Sequence, residues 1–161
     1  DTLVEMVREA IHDSQIDPAF LELEVTESLL LMNSESVQSI LLSLKDIGVQ
    51  LTMDDFGTGY SSLSYLKRFP FDTLKLDMAF VRGITDDPDS AAIALAIITM
   101  AQALNLKVVA EGVETEDQIS YLRCHGCNEM QGYYFSRPLP VSEFTDFMRS
   151  AQPLPLEVGR K

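Results

Sequence analysis

The 161-residue chain carries 12 Lys and Arg against 25 Asp and Glu, a formal net charge of −13 with a pI near 4.4. That charge excludes the basic stripe of a DNA or RNA binder and disfavours contact with anionic lipid. Hydrophobic residues make up 46% and charged residues 23%, as in a globular domain, and the longest apolar run, Ala91 to Ile98, is far shorter than the roughly 20 residues that span a bilayer.

Helical and strand patterns alternate from the start. Leu3, Val4, Val7 and Ile11 recur at helical spacing until Asp17-Pro18 breaks the pattern. Phe20 to Val25 reads as a buried strand. The stretch from Ser34 to Ile47 puts Val37, Ile40, Leu41 and Leu44 on one face, with Gly48 where a helix C-cap belongs. Val49 to Met53 is the next strand, followed by a polar turn from Asp54 to Ser62 and a short helix to Arg68. Phe69-Pro70 then leads into the strand Thr73 to Asp77. Asp86 to Ser90 supplies turn and cap chemistry for a long helix ending near Leu104, with Ile93, Ile97, Met100 and Leu104 expected to face inward. Lys107 to Ala110 forms a fourth strand, Thr115 opens another helix, and a fifth strand lies near Asn128 to Gln131. A last helix, Ser142 to Arg149, precedes a Pro-containing tail, so the expected organisation is one domain over residues 1–150 and a tail over 151–161. No basic-then-apolar leader opens the chain, and two cysteines make no disulfide framework, which places the expected compartment in the cytosol.

Strands alternating with helices imply an α/β fold with a parallel sheet, either open and doubly wound or part of a (β/α)8 barrel. Polar residues favour the barrel. Glu24, Asp54, Lys75, Glu111 and Gln131 each sit at or just past the C-terminal end of a different expected strand, the rim where barrel enzymes gather their chemistry. Polar strand ends are common because loops begin there, but Lys75 sits inside the apolar strand Leu74-Lys75-Leu76.

Glu24, Asp54 and Asp55 are hard oxygen ligands without an imidazole or thiolate, a set suited to Mg²⁺ or Mn²⁺ rather than Zn²⁺. Neighbouring strand residues point to opposite faces, so Asp54 and Asp55 suit two ions better than one, as in two-metal phosphodiester hydrolysis. Lys75 could steady the attacking water or the phosphate charge, Glu111 could orient Lys75, and Gln131 could hydrogen-bond the water. Taken alone, an Asp-Asp pair is a solvated turn; the constellation gives it meaning. Gly57-Thr58-Gly59 begins like a dinucleotide fingerprint, yet position 62 is Ser. Asp55-Phe56-Gly57 spells a kinase triplet without a His-Arg-Asp loop. Cys124-His125-Gly126-Cys127 offers too few ligands for a structural zinc and reads as ordinary thiols.

Five segments together resemble the bacterial EAL domain, the phosphodiesterase module that opens cyclic di-GMP to linear pGpG. They are EVTES over 24–28, DDFGTGYSSL over 54–63, LKLD over 74–77, VAEGVET over 109–115 and QGYYFSRPL over 131–139. The resemblance implies a (β/α)8 TIM-type barrel with a Mg²⁺- or Mn²⁺-dependent site holding two ions. By position, Glu24 and Asp54 look like metal ligands and Asp55 like a ligand of the second ion. Lys75 is similar to the lysine that holds the nucleophilic water, with Glu111 and Gln131 beside it, while Glu27 and Glu114 resemble residues bracing the loop after Asp55. That loop, Phe56 to Leu66 with Gly57, Thr58 and Gly59 at its start, couples the site to a homodimer interface in the family.

The resemblance departs from the family at the front. The Glu of the name-giving motif, an Asn ligand from a later strand and a nearby Arg for the dinucleotide have no counterpart here. The chain therefore reads as the C-terminal two-thirds of the domain, about five of eight strands, which agrees with the roughly 250 residues of a whole barrel. Five strands leave two unpaired edges. The expected partners are cyclic di-GMP and a second copy, with no nucleic-acid polymer and no direct membrane contact. The expected setting is cytoplasmic, even if the parent protein is membrane-anchored. A metal-dependent phosphodiesterase whose isolated piece is weak or inactive is the leading reading. A non-catalytic cyclic di-GMP receptor or regulatory interaction module is the alternative, and an unrelated barrel hydrolase is a third.

Overall fold

The computed structural model describes residues 2–32, 34–57 and 63–150. Five strands form one parallel sheet in the order of the chain: β1 (Glu22–Thr26), β2 (Gln50–Phe56), β3 (Thr73–Leu76), β4 (Lys107–Ala110) and β5 (Glu129–Met130). Sequential order without a reversal is the pattern of a barrel wall; a doubly wound sheet reverses direction at a switch point. The described residues thus form an incomplete (β/α)8 barrel. Between and around the strands lie α1 (Thr2–Ser14), α2 (Glu27–Met32), α3 (Ser34–Ile47), α4 (Leu63–Arg68), α5 (Met78–Arg82), α6 (Pro88–Ala103), α7 (Glu116–Cys124) and α8 (Val141–Ser150).

The two sheet faces differ chemically because side chains alternate along a strand. Val25, Leu51, Met53, Leu74, Leu76, Val108 and Ala110 are buried on one face with Leu41 and Leu44 of α3 and Ile98 of α6. The alternate positions carry Glu22, Glu24, Thr52, Asp54, Thr73 and Lys75. Thr52, Thr73 and Lys75 are nevertheless buried, and the Thr52 hydroxyl donates to Glu22 Oε1 across the β1–β2 pair.

At the N-terminal ends of the strands a polar clamp joins three elements. Lys45 Nζ of α3 donates to both Asp72 carboxylate oxygens at 2.8 and 2.7 Å and to the Val49 carbonyl at 3.0 Å. Asp72 Oδ2 also accepts the Leu51 amide at 2.8 Å, and the Asp72 carbonyl accepts the Lys107 amide at 2.9 Å. Gly48, at φ +104°, makes the left-handed turn that ends α3, as its position in the sequence predicts.

Three expectations change. The strand expected from Phe20 begins at Glu22, because Asp17 caps a single 3₁₀ turn, Pro18–Phe20, and leaves Phe20 80% exposed. On α6 the inward stripe is Ala94, Ile97, Ile98 and Ala101, while Ile93 and Leu104 are exposed. That helix is apolar on most sides, so periodicity alone does not choose its face; the small alanines do, by allowing close approach to the sheet. Leu3 on α1 is likewise exposed, and Val4 and Val7 carry its contact. No described helix is long and apolar enough to cross a membrane. The tail over 151–161 lies outside the described residues.

Candidate functional site

Lys75 is the hub of the C-terminal rim. Its ammonium lies 2.8 Å from Glu24 Oε1, 3.2 Å from Asp54 Oδ1 and 2.8 Å from Glu111 Oε1. The lysine side chain is 9% exposed, and those of Glu24, Asp54 and Glu111 are 53%, 19% and 22% exposed. Glu24 stands on β1, two strands away from β3, a span of roughly 10 Å at ordinary strand spacing. Only two long side chains reaching toward each other close that span. Glu111 follows β4 and is fixed by its own amide, which donates to the Leu76 carbonyl at 3.0 Å. Glu24, Asp54, Lys75 and Glu111, four of the five rim residues read from the sequence, are therefore brought together at one nitrogen.

Burial by itself pushes the Lys75 pKa down; hydrogen bonds from the ammonium to Glu111, Glu24 and Asp54 outweigh it and hold the group well above the ordinary lysine value of 10.5. Lys75 is thus a fixed cation at neutral pH, able to donate hydrogen bonds and unable to accept a proton. With three carboxylates around one ammonium, the cluster carries a formal charge of −2.

Asp55 departs from the strict alternation expected of it. The β2–β3 register shifts between Met53 and Phe56, and Asp55 adopts φ +56°. This is a bulge, with Asp55 exposed and its amide donating to Asp54 Oδ1 at 3.0 Å. A left-handed non-glycine residue costs on the order of 1 kcal/mol, least for Asp and Asn, and such residues concentrate where a site needs them. Gly57 follows at φ +93°, where an added β-carbon would press on the Phe80 ring; the two residues flanking buried Phe56 both adopt left-handed backbone. Thr58 and Gly59 lie outside the described residues.

Gln131, Glu27 and Glu114 are the other expected site residues around this network. Gln131 is exposed, and it is its backbone that is engaged: its amide donates to the Ala110 carbonyl at 2.8 Å and its carbonyl accepts the Val113 amide at 3.1 Å. Glu27 is buried at the start of α2, next to the end of β1. The Glu114 side chain is exposed, and its amide donates to Gln118 Oε1 at 2.7 Å. Gln118 is the residue the sequence reading passed over. Buried at the third position of α7, it also accepts the Thr115 amide and donates to the Val81 carbonyl of α5, pinning the loop that carries Glu111. The signal was present in the sequence, since Thr115-Glu116-Asp117-Gln118 is a capping box.

The donor set is all oxygen, which fits a hard divalent cation and not a thiophilic one. Among the described residues, no three Asp, Glu, His or Cys side chains form a ready metal cage; the rim carboxylates are gathered on the ammonium instead. Cys127 is buried and its thiol donates to the Glu129 carbonyl, whereas Cys124 is exposed.

Parallel wall, rim lysine and motif order agree with one match: the EAL domain covers residues 1–138. The chain belongs to the EAL domain family. It is 50% identical over 149 residues to the cyclic di-GMP phosphodiesterase NbdA of Pseudomonas aeruginosa, covering 92% of this chain and 19% of that protein. The crystal structure of the EAL domain of Mycobacterium smegmatis DcpA superposes with a TM-score of 0.88 at 40% identity, over 95% of this chain and 69% of that one. Klebsiella pneumoniae BlrP1, solved with manganese and cyclic di-GMP, matches with a TM-score of 0.77 at 35% identity, over 84% of this chain and 34% of its own. The chain spans about a fifth of the length of the curated relatives it matches.

Proposed function

We propose that this EAL domain takes part in metal-dependent hydrolysis of cyclic di-GMP to linear pGpG. The observation that carries the reading is the convergence of Glu24, Asp54 and Glu111 on Lys75 at the rim of the barrel wall. Glu24 and Asp54 would hold one Mg²⁺ or Mn²⁺ and Asp55 a second, an arrangement supported by their all-oxygen chemistry and by the bulge that separates the two aspartates. A bound divalent ion supplies Lewis-acid polarisation of the phosphodiester and a lower pKa for the attacking water.

The chain's own residues do the rest. Lys75, a permanent cation, steadies the charge that develops on the phosphate and orients the water through its N–H groups. Glu111 fixes the direction in which the Lys75 ammonium points. Gln131, held by its backbone beside Glu111, offers its exposed amide to the same water. Glu27 and Glu114 brace the loop that contains Phe56, Gly57, Thr58 and Gly59, and this loop meets a second copy in a homodimer. Residues 1–150 form the domain portion, with 151–161 as a tail, and the domain acts on the cytoplasmic side. Its net charge of −13 leaves a small cyclic dinucleotide neutralised by metal, and not a nucleic-acid polymer, as the fitting partner.

The test is cyclic di-GMP turnover with Mn²⁺, read for the 161-residue chain and for a version extended at its N-terminus by about 90 residues, the length that completes a barrel. Turnover by the extended chain, weak or absent in the shorter one, supports the reading. Glu111→Gln should then lower kcat by roughly a hundredfold through a misdirected lysine. Binding of cyclic di-GMP by both chains without turnover would replace hydrolysis with a receptor function.

A further inference from the structure

We infer that Lys75 is a built-in competitor of the divalent cation: its ammonium is bonded to the same carboxylates, and metal loading requires it to release Glu24 and Asp54. The inference rests on the metal-dependent reading of the same site. The oxygens that hold Lys75 are Glu24 Oε1, Asp54 Oδ1 and Glu111 Oε1, at 2.8, 3.2 and 2.8 Å. Two of these belong to the residues assigned to the metal. A divalent ion sits about 2.1 Å from its oxygen ligands, so an ion on Glu24 and Asp54 would share their oxygens with an ammonium at hydrogen-bond distance. Two cations a few Å apart, and largely out of water, repel.

The third partner makes the exchange feasible. Glu111 comes from a separate strand end and is anchored by its own amide on the Leu76 carbonyl. It gives the ammonium a charged partner to keep when the other two are taken, so Lys75 moves without becoming a bare charge in a buried place. Glu111 is in this sense a positioning residue, acting through Lys75.

The experiment titrates Mn²⁺ alone into the full 161-residue chain and reads free Mn²⁺ by electron paramagnetic resonance, for the wild type, Lys75→Met and Lys75→Arg. Lys75→Met should tighten Mn²⁺ binding at least tenfold, whereas Lys75→Arg, which keeps the charge, should bring no such gain. A second measurement uses no variant and remains decisive if either one misfolds. In the wild type, the side-chain ¹⁵N resonance of the ion-paired Lys75 should shift as Mg²⁺ saturates the site. A Lys75→Met affinity within threefold of wild type, or a Lys75 resonance indifferent to Mg²⁺, overturns the inference. Hydrolysis is read separately. Turnover of cyclic di-GMP without these changes sinks the competition and leaves the phosphodiesterase reading intact. The affinity gain without turnover, in the extended chain too, does the reverse.

Discussion

Asp72 offers a way to separate what holds the barrel wall together from what works at its rim. It begins the turn into β3 and lies three residues before Lys75, roughly 10 Å along the strand. Its carboxylate accepts two hydrogen bonds from Lys45 Nζ, at 2.8 and 2.7 Å, and one from the Leu51 amide at 2.8 Å. In Asp72→Ala the lysine keeps the Val49 carbonyl, and water reaches it because the pair is about a quarter exposed. Leu51 is fully buried, and its amide is left without its acceptor. Losing a charge-assisted hydrogen bond and orphaning a buried amide each cost on the order of 1–3 kcal/mol, reduced here by partial solvation, so the variant should lose about 2–4 kcal/mol. At this chain length that corresponds to a fall in Tm of roughly 5–15 °C. Asp72→Asn keeps an acceptor for the Leu51 amide and should lose about half as much. Urea denaturation followed by circular dichroism measures both, and Mn²⁺ affinity measured on the folded protein should be unchanged. A loss below about 0.5 kcal/mol for Asp72→Ala, or equal losses for Ala and Asn, would refute the assignment of this carboxylate as the clamp across the strand ends.

Two further outcomes follow from close packing and burial. In Gly132→Ala the new methyl would lie 2.2 Å from the Val113 carbonyl oxygen and 2.3 Å from its nitrogen, so the segment holding Gln131 must move; a loss of about 3 kcal/mol or more is expected in thermal melts, and a melting point within 3 °C of wild type would contradict it. The Cys127 thiol, its pKa pushed up to about 11 chiefly by burial, should resist iodoacetamide at pH 8 while exposed Cys124 reacts, and equal labelling of the two in a peptide map would be the contrary result.

Much of this architecture is written locally. A 3.6-residue stripe over Val37, Ile40, Leu41 and Leu44, a cap at Gly48 and an apolar run at Lys107–Ala110 specify helix, stop and strand within a few residues, because backbone hydrogen bonds and side-chain direction repeat with fixed periods. The rim residues were legible for the same reason: a charged lysine between two leucines is anomalous wherever it stands. Where local signals were balanced, the sequence left the answer open. The α6 helix has apolar residues on most sides, and contact with β3 and β4 decided that Ala94 and Ala101 go in while Ile93 stays out. Asp17-Pro18 competed with the apolar pattern at Phe20, and the capped turn prevailed.

The site itself belongs to tertiary structure. Asp54 and Asp55 read as neighbours on opposite faces, and the register shift against β3 is what breaks that alternation. Gly132 reads as a loop glycine until the Val113 backbone is found pressed against it. The rim reading puts Lys75 at the same edge as Glu24, 51 positions away, and Glu111, 36 positions away, but no period along the chain makes their side chains meet. Motif and period set which groups the rim would hold, because those signals are short-range. The strand register brought three carboxylates to one ammonium, because charges that meet across a sheet are selected by the shape of the wall and not by their spacing along the chain.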